Sequence, residues 1–402
     1  MFVFYFFAAI VVLLGVASLR GGISFAKYVR SQLVLTAPEF IPRVSVIAPC
    51  RGLEPGLREN IAAILKQNYP SYEVIFVSGN ADDTALELVN ELCESVSANS
   101  DIRRRIVIAG EATDSGQKVH NLRAAVREAN PTSEVFVFVD TDARPHDNWL
   151  RSLVAPLKDE RLGATTGYRW FVPDKGGLAS HLRSVWNASI ASALGGRDDK
   201  NFCWGGSTAI RRTTFERLNV AERWRGTVSD DFTLMHILRE AELPIRFVPA
   251  CLVASFGSCS LHELLEFTNR QLKITRVYAP HFWRSVLLGS LLFVLVFFGG
   301  IALVVTKAAF GGPFIVPLLS LLIIFGLGAA KGFVRLRAVS LVLAKHQGRT
   351  RESTLAHVCL WPVTSFLYLY NALVAAFSRR IRWRGITYEL NSPTEAVIIS
   401  RE

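Results

Sequence analysis

Asp140 and Asp142 stand one residue apart at the end of the run Glu134-Val-Phe-Val-Phe-Val-Asp-Thr-Asp. Two carboxylates at that spacing supply hard oxygen ligands for a divalent cation that also grips a diphosphate. The competing use is a turn, because Asp and Asn are common after strands. The apolar residues before them read as a strand buried on both faces of a parallel sheet. Ligands of open α/β sheets bind outside the carboxyl ends of the strands, where both carboxylates fall. A second acidic pair, Asp230 and Asp231, follows Ser229 at the head of a helical pattern, where such residues cap helices.

The elements that must position these groups alternate. Val44–Ala48 reads as a strand, and Leu57–Gln67 as a helix with Ile61, Ile64 and Leu65 on one face. Strand Glu73–Ser78, helix Asp83–Val96, strand Arg105–Ala109 and helix Lys118–Glu128 then lead to the strand at Glu134. This order predicts an α/β fold, a doubly wound, mostly parallel sheet with right-handed crossovers. No GxGxxG follows the first strand, so the usual dinucleotide fingerprint is missing. Beyond it come strand Gly163–Trp170, helix His181–Leu194 and a glycine-rich loop and short strand over Phe202–Ile210. Helix Asp231–Ala241 and strand Ile245–Ala254 complete the polar region. In Leu261–Tyr278, Leu264, Leu265, Phe267, Leu272 and Ile274 alternate with Arg270, Lys273 and Arg276. Such a helix reads as lying in a membrane interface.

Half of the 402 residues are hydrophobic and the mean hydropathy is +0.28. The excess is concentrated at 2–19, 285–306, 313–330 and 354–377, each near the roughly 20 residues that cross a bilayer core. The first segment lacks a basic n-region and a small-residue cleavage site, so it reads as an anchor rather than a signal peptide. The net charge is +11, with basic residues clustered beside the apolar segments. That placement fits the positive-inside rule and anionic headgroups. No recognition motif accompanies the charge, so no nucleic-acid partner is expected. Six cysteines without a CxxC pair read as reduced, mostly buried cytosolic thiols. The expected plan is a transmembrane anchor at 1–20, with a basic connector over 20–42 ending near Pro38 and Pro42. A cytosolic domain at 38–260, an interfacial helix at 261–282, membrane helices at 283–378 and a basic-aromatic cytosolic tail at 379–402 follow.

Four landmarks over roughly residues 40–395 carry a resemblance to a known family. They are Val44-Ser-Val-Ile-Ala-Pro-Cys-Arg-Gly with Leu65-Lys-Gln-Asn-Tyr-Pro; Gly116-Gln-Lys-Val-His-Asn-Leu with Val139-Asp-Thr-Asp-Ala; Gly205-Gly-Ser-Thr-Ala with Val228-Ser-Asp-Asp-Phe; and Arg270-Gln-Leu-Lys-Ile with Trp383-Arg-Gly-Ile-Thr-Tyr-Glu-Leu. Their order resembles the family 2 type of inverting glycosyltransferase, and more closely its ceramide glucosyltransferase branch, family 21. The resemblance implies a nucleotide-sugar glycosyltransferase A-type fold with transmembrane and interfacial helices at both ends.

It also implies roles. Asp140 and Asp142 would hold Mg²⁺ or Mn²⁺ and the diphosphate, and the cation would neutralise the leaving nucleoside diphosphate. Asp231 would take the acceptor hydroxyl's proton as that oxygen attacks the anomeric carbon, a role compatible with helix capping. Asp82 is the candidate for uracil or ribose contact, with Asp83 the alternative or a helix cap. Lys118 would bring charge to the diphosphate or stand as a solvated helix-start lysine. Arg270 and Lys273 occupy a (Q/R)xxRW pattern in which Lys replaces Arg and Ile274 replaces Trp. Lys keeps the charge and loses the bidentate fork. Arg382, Trp383 and Arg384 would close over the nucleotide or anchor at headgroups.

The donor so implied is a UDP-sugar, UDP-glucose first, and the acceptor a lipid hydroxyl, ceramide first, with diacylglycerol or a hopanoid as alternatives. An integral membrane protein with its catalytic domain facing the cytoplasm follows from where nucleotide sugars are found. A full crossing at 354–377 would put Arg379–Arg384 outside. Pro362 instead predicts a broken or re-entrant helix there. The competing readings are a processive polysaccharide synthase and an inactive membrane scaffold.

Overall fold

β4, Val135–Val139, is buried at every position, and its sequence therefore runs apolar without alternation. The computed structural model describes residues 2–35, 39–96, 102–174 and 176–401; the expected break at Pro38 lies outside the described residues. Two units emerge from the contacts. One comprises Ser31–Val172, Leu194–Gly257 and Arg380–Glu402; the other comprises Met1–Arg30, Pro173–Ala193 and Ser258–Arg379.

The first of these holds β1 (Val44–Pro49), β2 (Tyr72–Ser78), β3 (Arg103–Ile108), β4, β5 (Ala164–Val172), β6 (Ser207–Arg211) and β7 (Ile245–Phe256). They form one seven-stranded sheet in the order β3-β2-β1-β4-β6-β5-β7. β1 lies parallel to β2 and β4, with Val46 opposite Val74 on one side and Val137 on the other. β6 runs antiparallel to β4 and β5, whereas β5 and β7 are parallel. The sheet is thus α/β, doubly wound and mostly parallel, with β6 the exception. Strand order reverses between β1 and β4, and the crevice at their carboxyl ends is where such sheets bind ligands. On one face Ile47, Ile75, Phe136 and Phe138 pack against Val119, Leu122, Phe215 and Trp224. Phe138 meets the Trp224 ring edge-on at 5.4 Å, which fixes the floor beneath that crevice.

The expected tail is instead a folded element. β8 (Arg380–Trp383), β9 (Ile386–Ser392) and β10 (Glu395–Arg401) form a three-stranded antiparallel sheet. Arg384 (φ 53°) and Gly385 (φ 72°) make the two-residue turn between β8 and β9, a geometry matched to strand twist. Ile386, Tyr388 and Leu390 point inward and are buried. The Gln117 N–H donates to the Tyr388 hydroxyl at 3.1 Å, and Arg401 donates to the Ala112 carbonyl.

In the other unit the helix Phe2–Leu33 runs past its expected end at residue 20. Gly22, Phe25, Ala26 and Val29 keep one face buried, so Arg20, Lys27 and Arg30 do not stop it. Phe2–Leu33, Pro280–Ala309 and Ile315–Val342 are each long and apolar enough to cross a membrane. The segment 354–377 is broken, into Thr354–Cys359 and Trp361–Phe377, with Pro362 in the first turn of the second helix. Proline is tolerated there because the first-turn N–H groups have no helical partner. Leu261–Tyr278 starts on a capping box of Ser260 and Glu263. Its Leu264 and Leu272 pack against Leu182, Trp186, Leu367 and Ala375, so protein helices cover much of an apolar side that the sequence reading left to a bilayer.

Candidate functional site

The turn after β4 is held from two directions. The Thr141 hydroxyl donates to the Pro49 carbonyl at 3.2 Å, fastening the turn to the end of β1. Asn60, on helix Leu57–Leu65, donates to the Thr141 carbonyl at 3.0 Å and accepts from Arg144 at 3.0 Å. Asp140 and Asp142 therefore project from a fixed backbone.

Two cations meet them. Lys118, at the start of helix Gln117–Arg127, places Nζ 2.8 Å from Asp140 Oδ1 and 3.3 Å from Asp230 Oδ1. Arg169, from β5, lies 3.1 Å from Asp140 Oδ2 and 2.9 Å from Asp142 Oδ2, with a further contact of 3.3 Å to Asp142 Oδ1. Its guanidinium rests 4.8 Å from the Trp204 ring and 5.4 Å from that of Phe171, which holds the planar fork in place. Burial works against the charged form of Lys118, but Asp140 and Asp230 outweigh it and hold its pKa above the ordinary lysine value. Burial raises the Asp140 pKa, yet Lys118 and Arg169 overcome that and keep it low. Asp230 is pushed up to about 6, by burial first and then by the charges of Asp231 and Asp140 against the pull of Lys118. Asp140 is thus the firmly ionised member of the cluster.

The Gly205-Gly206 loop makes room for this cluster. A Cβ on Gly205 would stand 2.1 Å from Asp230 Oδ2 and 2.8 Å from Lys118 Nζ. One on Gly206 would meet the Trp204 ring at 2.2 Å. Helix Asp230–Glu240 is capped by Ser229, whose hydroxyl accepts from Phe232 N. The same hydroxyl donates to Asp231 Oδ1, which also accepts from Phe232 N at 2.8 Å. Asp231 Oδ2 has no hydrogen-bond partner among the described residues, and the side chain is half-buried. Capping is Ser229's work, which leaves one Asp231 oxygen available to accept a proton.

The other expected residues fall as follows. Asp83 accepts from Gly52 N (2.8 Å), Ala85 N (3.0 Å) and the Ser78 hydroxyl (2.7 Å), so its carboxylate is fully engaged in joining β1, β2 and the following helix. Asp82 is exposed beside it and makes no ion pair with the Lys118–Asp140 cluster. Trp383 sits at the end of β8, and it is the next residue, Arg384, that turns toward the segment after β1. Arg384 bonds Glu54 Oε1 at 2.6 Å and the Arg51 carbonyl at 3.0 Å, and its charge helps to keep Asp140 ionised. Arg270 and Lys273 stand on helix Leu261–Tyr278 in the other unit, with Arg270 5.6 Å from the Phe267 ring. Sequence reasoning missed Arg169, whose signal is an Arg inside the otherwise buried strand Ala164–Val172.

Among the described residues no group of three His, Cys, Asp or Glu is placed to hold a metal. Two carboxylates beside a crevice suit a hard cation that takes its remaining ligands from phosphate oxygens, the usual pattern for Mg²⁺. Asp140 and Asp142 therefore fit such an ion as a partial donor set.

The model of glycosyl transferase family 21 matches residues 7–396. The chain belongs to that family. This family 21 chain is similar to ceramide glucosyltransferase 1 of Caenorhabditis elegans, 22% identical over 245 residues, or 60% of this chain and 51% of that protein. It is also similar to a hyaluronan synthase of Streptococcus pyogenes, 28% identical over 113 residues, 28% of this chain and 26% of the synthase. The family 21 chain thus spans about half the length, or less, of these relatives. Among solved structures it is similar to a mannosyltransferase from Pyrobaculum calidifontis in complex with GDP-Man and Mn²⁺, with a TM-score of 0.48, 19% identity and coverage of 92% of this chain and 98% of that one.

Proposed function

We propose that this protein is a membrane-bound inverting hexosyltransferase that moves glucose from UDP-glucose to a lipid hydroxyl, with a ceramide-like lipid the favoured acceptor. The observation that carries the reading is the convergence of Asp140, Asp142, Asp230 and the head of the Asp231 helix on Lys118 and Arg169, in a chain matched by family 21 almost end to end. Three helices able to cross a membrane support a lipid acceptor.

Asp140 and Asp142 would hold a divalent cation together with the donor diphosphate. When bound, that ion neutralises charge on the departing nucleoside diphosphate. Lys118 and Arg169 keep Asp140 ionised, Arg169 also pairs with Asp142, and both cations offer donors to phosphate oxygens once a ligand draws them over. Asp231 Oδ2 takes the acceptor proton as the hydroxyl oxygen attacks, and a single displacement inverts the anomeric centre. Asp230, salt-bridged to Lys118, positions rather than transfers. Asp82 contacts the nucleoside, Trp383 and Arg384 cover it, and Arg270 and Lys273 add charge toward the diphosphate. These steps are the same for other lipid acceptors: a diacylglycerol or hopanoid hydroxyl needs the same base.

The test uses membranes from cells making the wild-type protein or Asp231→Ala, supplied in turn with radiolabelled UDP-glucose, UDP-galactose or UDP-N-acetylglucosamine, together with Mn²⁺, ceramide and diacylglycerol. Label in the chloroform extract should appear with the wild type and fall about 10²–10⁴-fold in the variant, the usual worth of a general base. Label in an insoluble polymer would instead favour a polysaccharide synthase, and no transfer from any nucleotide sugar would overturn the catalytic reading.

A further inference from the structure

Arg335 is 4% exposed, on helix Ile315–Val342. Its Nε has no hydrogen-bond partner, and no ion pair to it is formed among the described residues. A guanidinium cannot shed its proton at working pH, and a buried charge without a partner is strongly unfavourable. The unit that contains it has four carboxylates, Asp174, Glu263, Glu266 and Glu352. Glu263 is engaged with Ser260 and Glu266 lies 3.9 Å from His262; Asp174 and Glu352 are exposed. None answers Arg335.

What surrounds it is polar and basic. Gly332, one turn earlier, is so close to the next helix that a Cβ would meet the His357 carbonyl at 2.3 Å. His357 is fully buried, has Arg335 and His181 as neighbours, and lies 3.3 Å from the Ser184 hydroxyl through Nε2. Tyr368 lies near Arg335, and its hydroxyl donates to the Trp186 carbonyl at 2.9 Å. Four helices thus meet here, and among the described residues none of them brings a negative charge.

Depth selects the kind of anion that suits this charge. From Ile315 the helix carries no charge until Lys331, and Arg335 lies twenty residues on, about 30 Å at 1.5 Å per residue. That matches the hydrocarbon thickness of a bilayer, so Arg335 stands where headgroup phosphates begin. We infer that Arg335, with His357 and His181 beside it, forms a site for a phosphate group, carried by the headgroup of an anionic membrane lipid. The lipid is a structural or regulatory ligand, separate from the sugar acceptor, and the inference does not depend on which sugar is transferred.

The experiment uses the full-length protein in neutral detergent and follows its thermal unfolding midpoint with added phosphatidylglycerol, phosphatidylcholine or inorganic phosphate. Phosphatidylglycerol should raise the wild-type midpoint and phosphatidylcholine should not. In Arg335→Gln the apparent affinity for phosphatidylglycerol should fall about tenfold or more, the loss of a charge-assisted bond, and Arg335→Lys should keep most of it. A response to inorganic phosphate alone would retain the anion site and assign it to a soluble source. Equal responses to both phospholipids in the wild type, or an unchanged phosphatidylglycerol response in Arg335→Gln, would overturn the site. Should Arg335→Gln not accumulate, the wild-type selectivity and Arg335→Lys still decide.

Discussion

At the scale of single residues, Lys118 holds the buried Asp230 and the half-buried Asp140, whose charges would otherwise repel. Lys118→Met leaves Asp140 and Asp230 facing each other, and removing one partner of a buried pair costs about 3–5 kcal/mol. Asp230→Asn added to Lys118→Met removes one of the orphaned charges, so the double variant should melt higher than Lys118→Met alone. A thermal melt of the three proteins in one detergent reads this, and a double variant that melts lower would show that the pair is not coupled through charge. Arg169 gives a second handle, since it occupies oxygens of both Asp140 and Asp142. Arg169→Met should be destabilised without added metal and regain stability with Mn²⁺ by a larger shift than the wild type shows, because the cation restores the lost countercharge. Equal Mn²⁺ shifts in the two proteins would contradict it. The carboxylate pair was legible because strand and acids adjoin in sequence. Arg169 was not, because its partners lie 27 and 29 positions away.

The elements divide by how local their signals are. β4 announces itself as an unbroken apolar run, and β1 and β2 nearly so, their buried Ser45 and Glu73 bonding to each other. The sheet β8–β10 was hidden behind its charges, although Ile386, Tyr388 and Leu390 alternate with Thr387, Glu389 and Asn391, and Arg384-Gly385 supplies the turn. Reading the segment as a motif obscured its period of two. The element fastens the Gly110–Gln117 stretch through Tyr388 and Arg401 and reaches the crevice through Arg384. Deleting residues 380–402 should therefore abolish sugar transfer and raise hydrogen exchange at residues 110–117, while exchange in helix Ile315–Val342 stays unchanged. Exchange that rises equally in both places would mean general unfolding rather than loss of one support. The Gly205-Gly206 loop is the opposite case, a sequence landmark whose reason needs coordinates. Gly205→Ala should cut activity by at least about tenfold, because its Cβ must displace Asp230 or Lys118, and overpacking of this kind costs about 1–3 kcal/mol. Near-wild-type kcat/KM in that variant would show that the cluster tolerates the shift.

For the molecule as a whole, the three long apolar helices and the seven-stranded sheet followed from composition and alternation. The helix Phe2–Leu33 outlasted its expectation because one buried face, not the absence of charge, decides where it ends. The folding of β8–β10 with β1–β7 in one unit carries a rule of parity. Phe256 and Arg380 must lie on the same side of any bilayer, so the chain between them crosses an even number of times. Pro280–Ala309 and Ile315–Val342 are each long and apolar enough for one passage; a third by Trp361–Phe377 would tear Tyr388 from Gln117. A membrane-impermeant thiol reagent should consequently treat Asn80→Cys and Ser392→Cys alike in intact cells, labelling both or neither, and labelling of only one would mean an odd count.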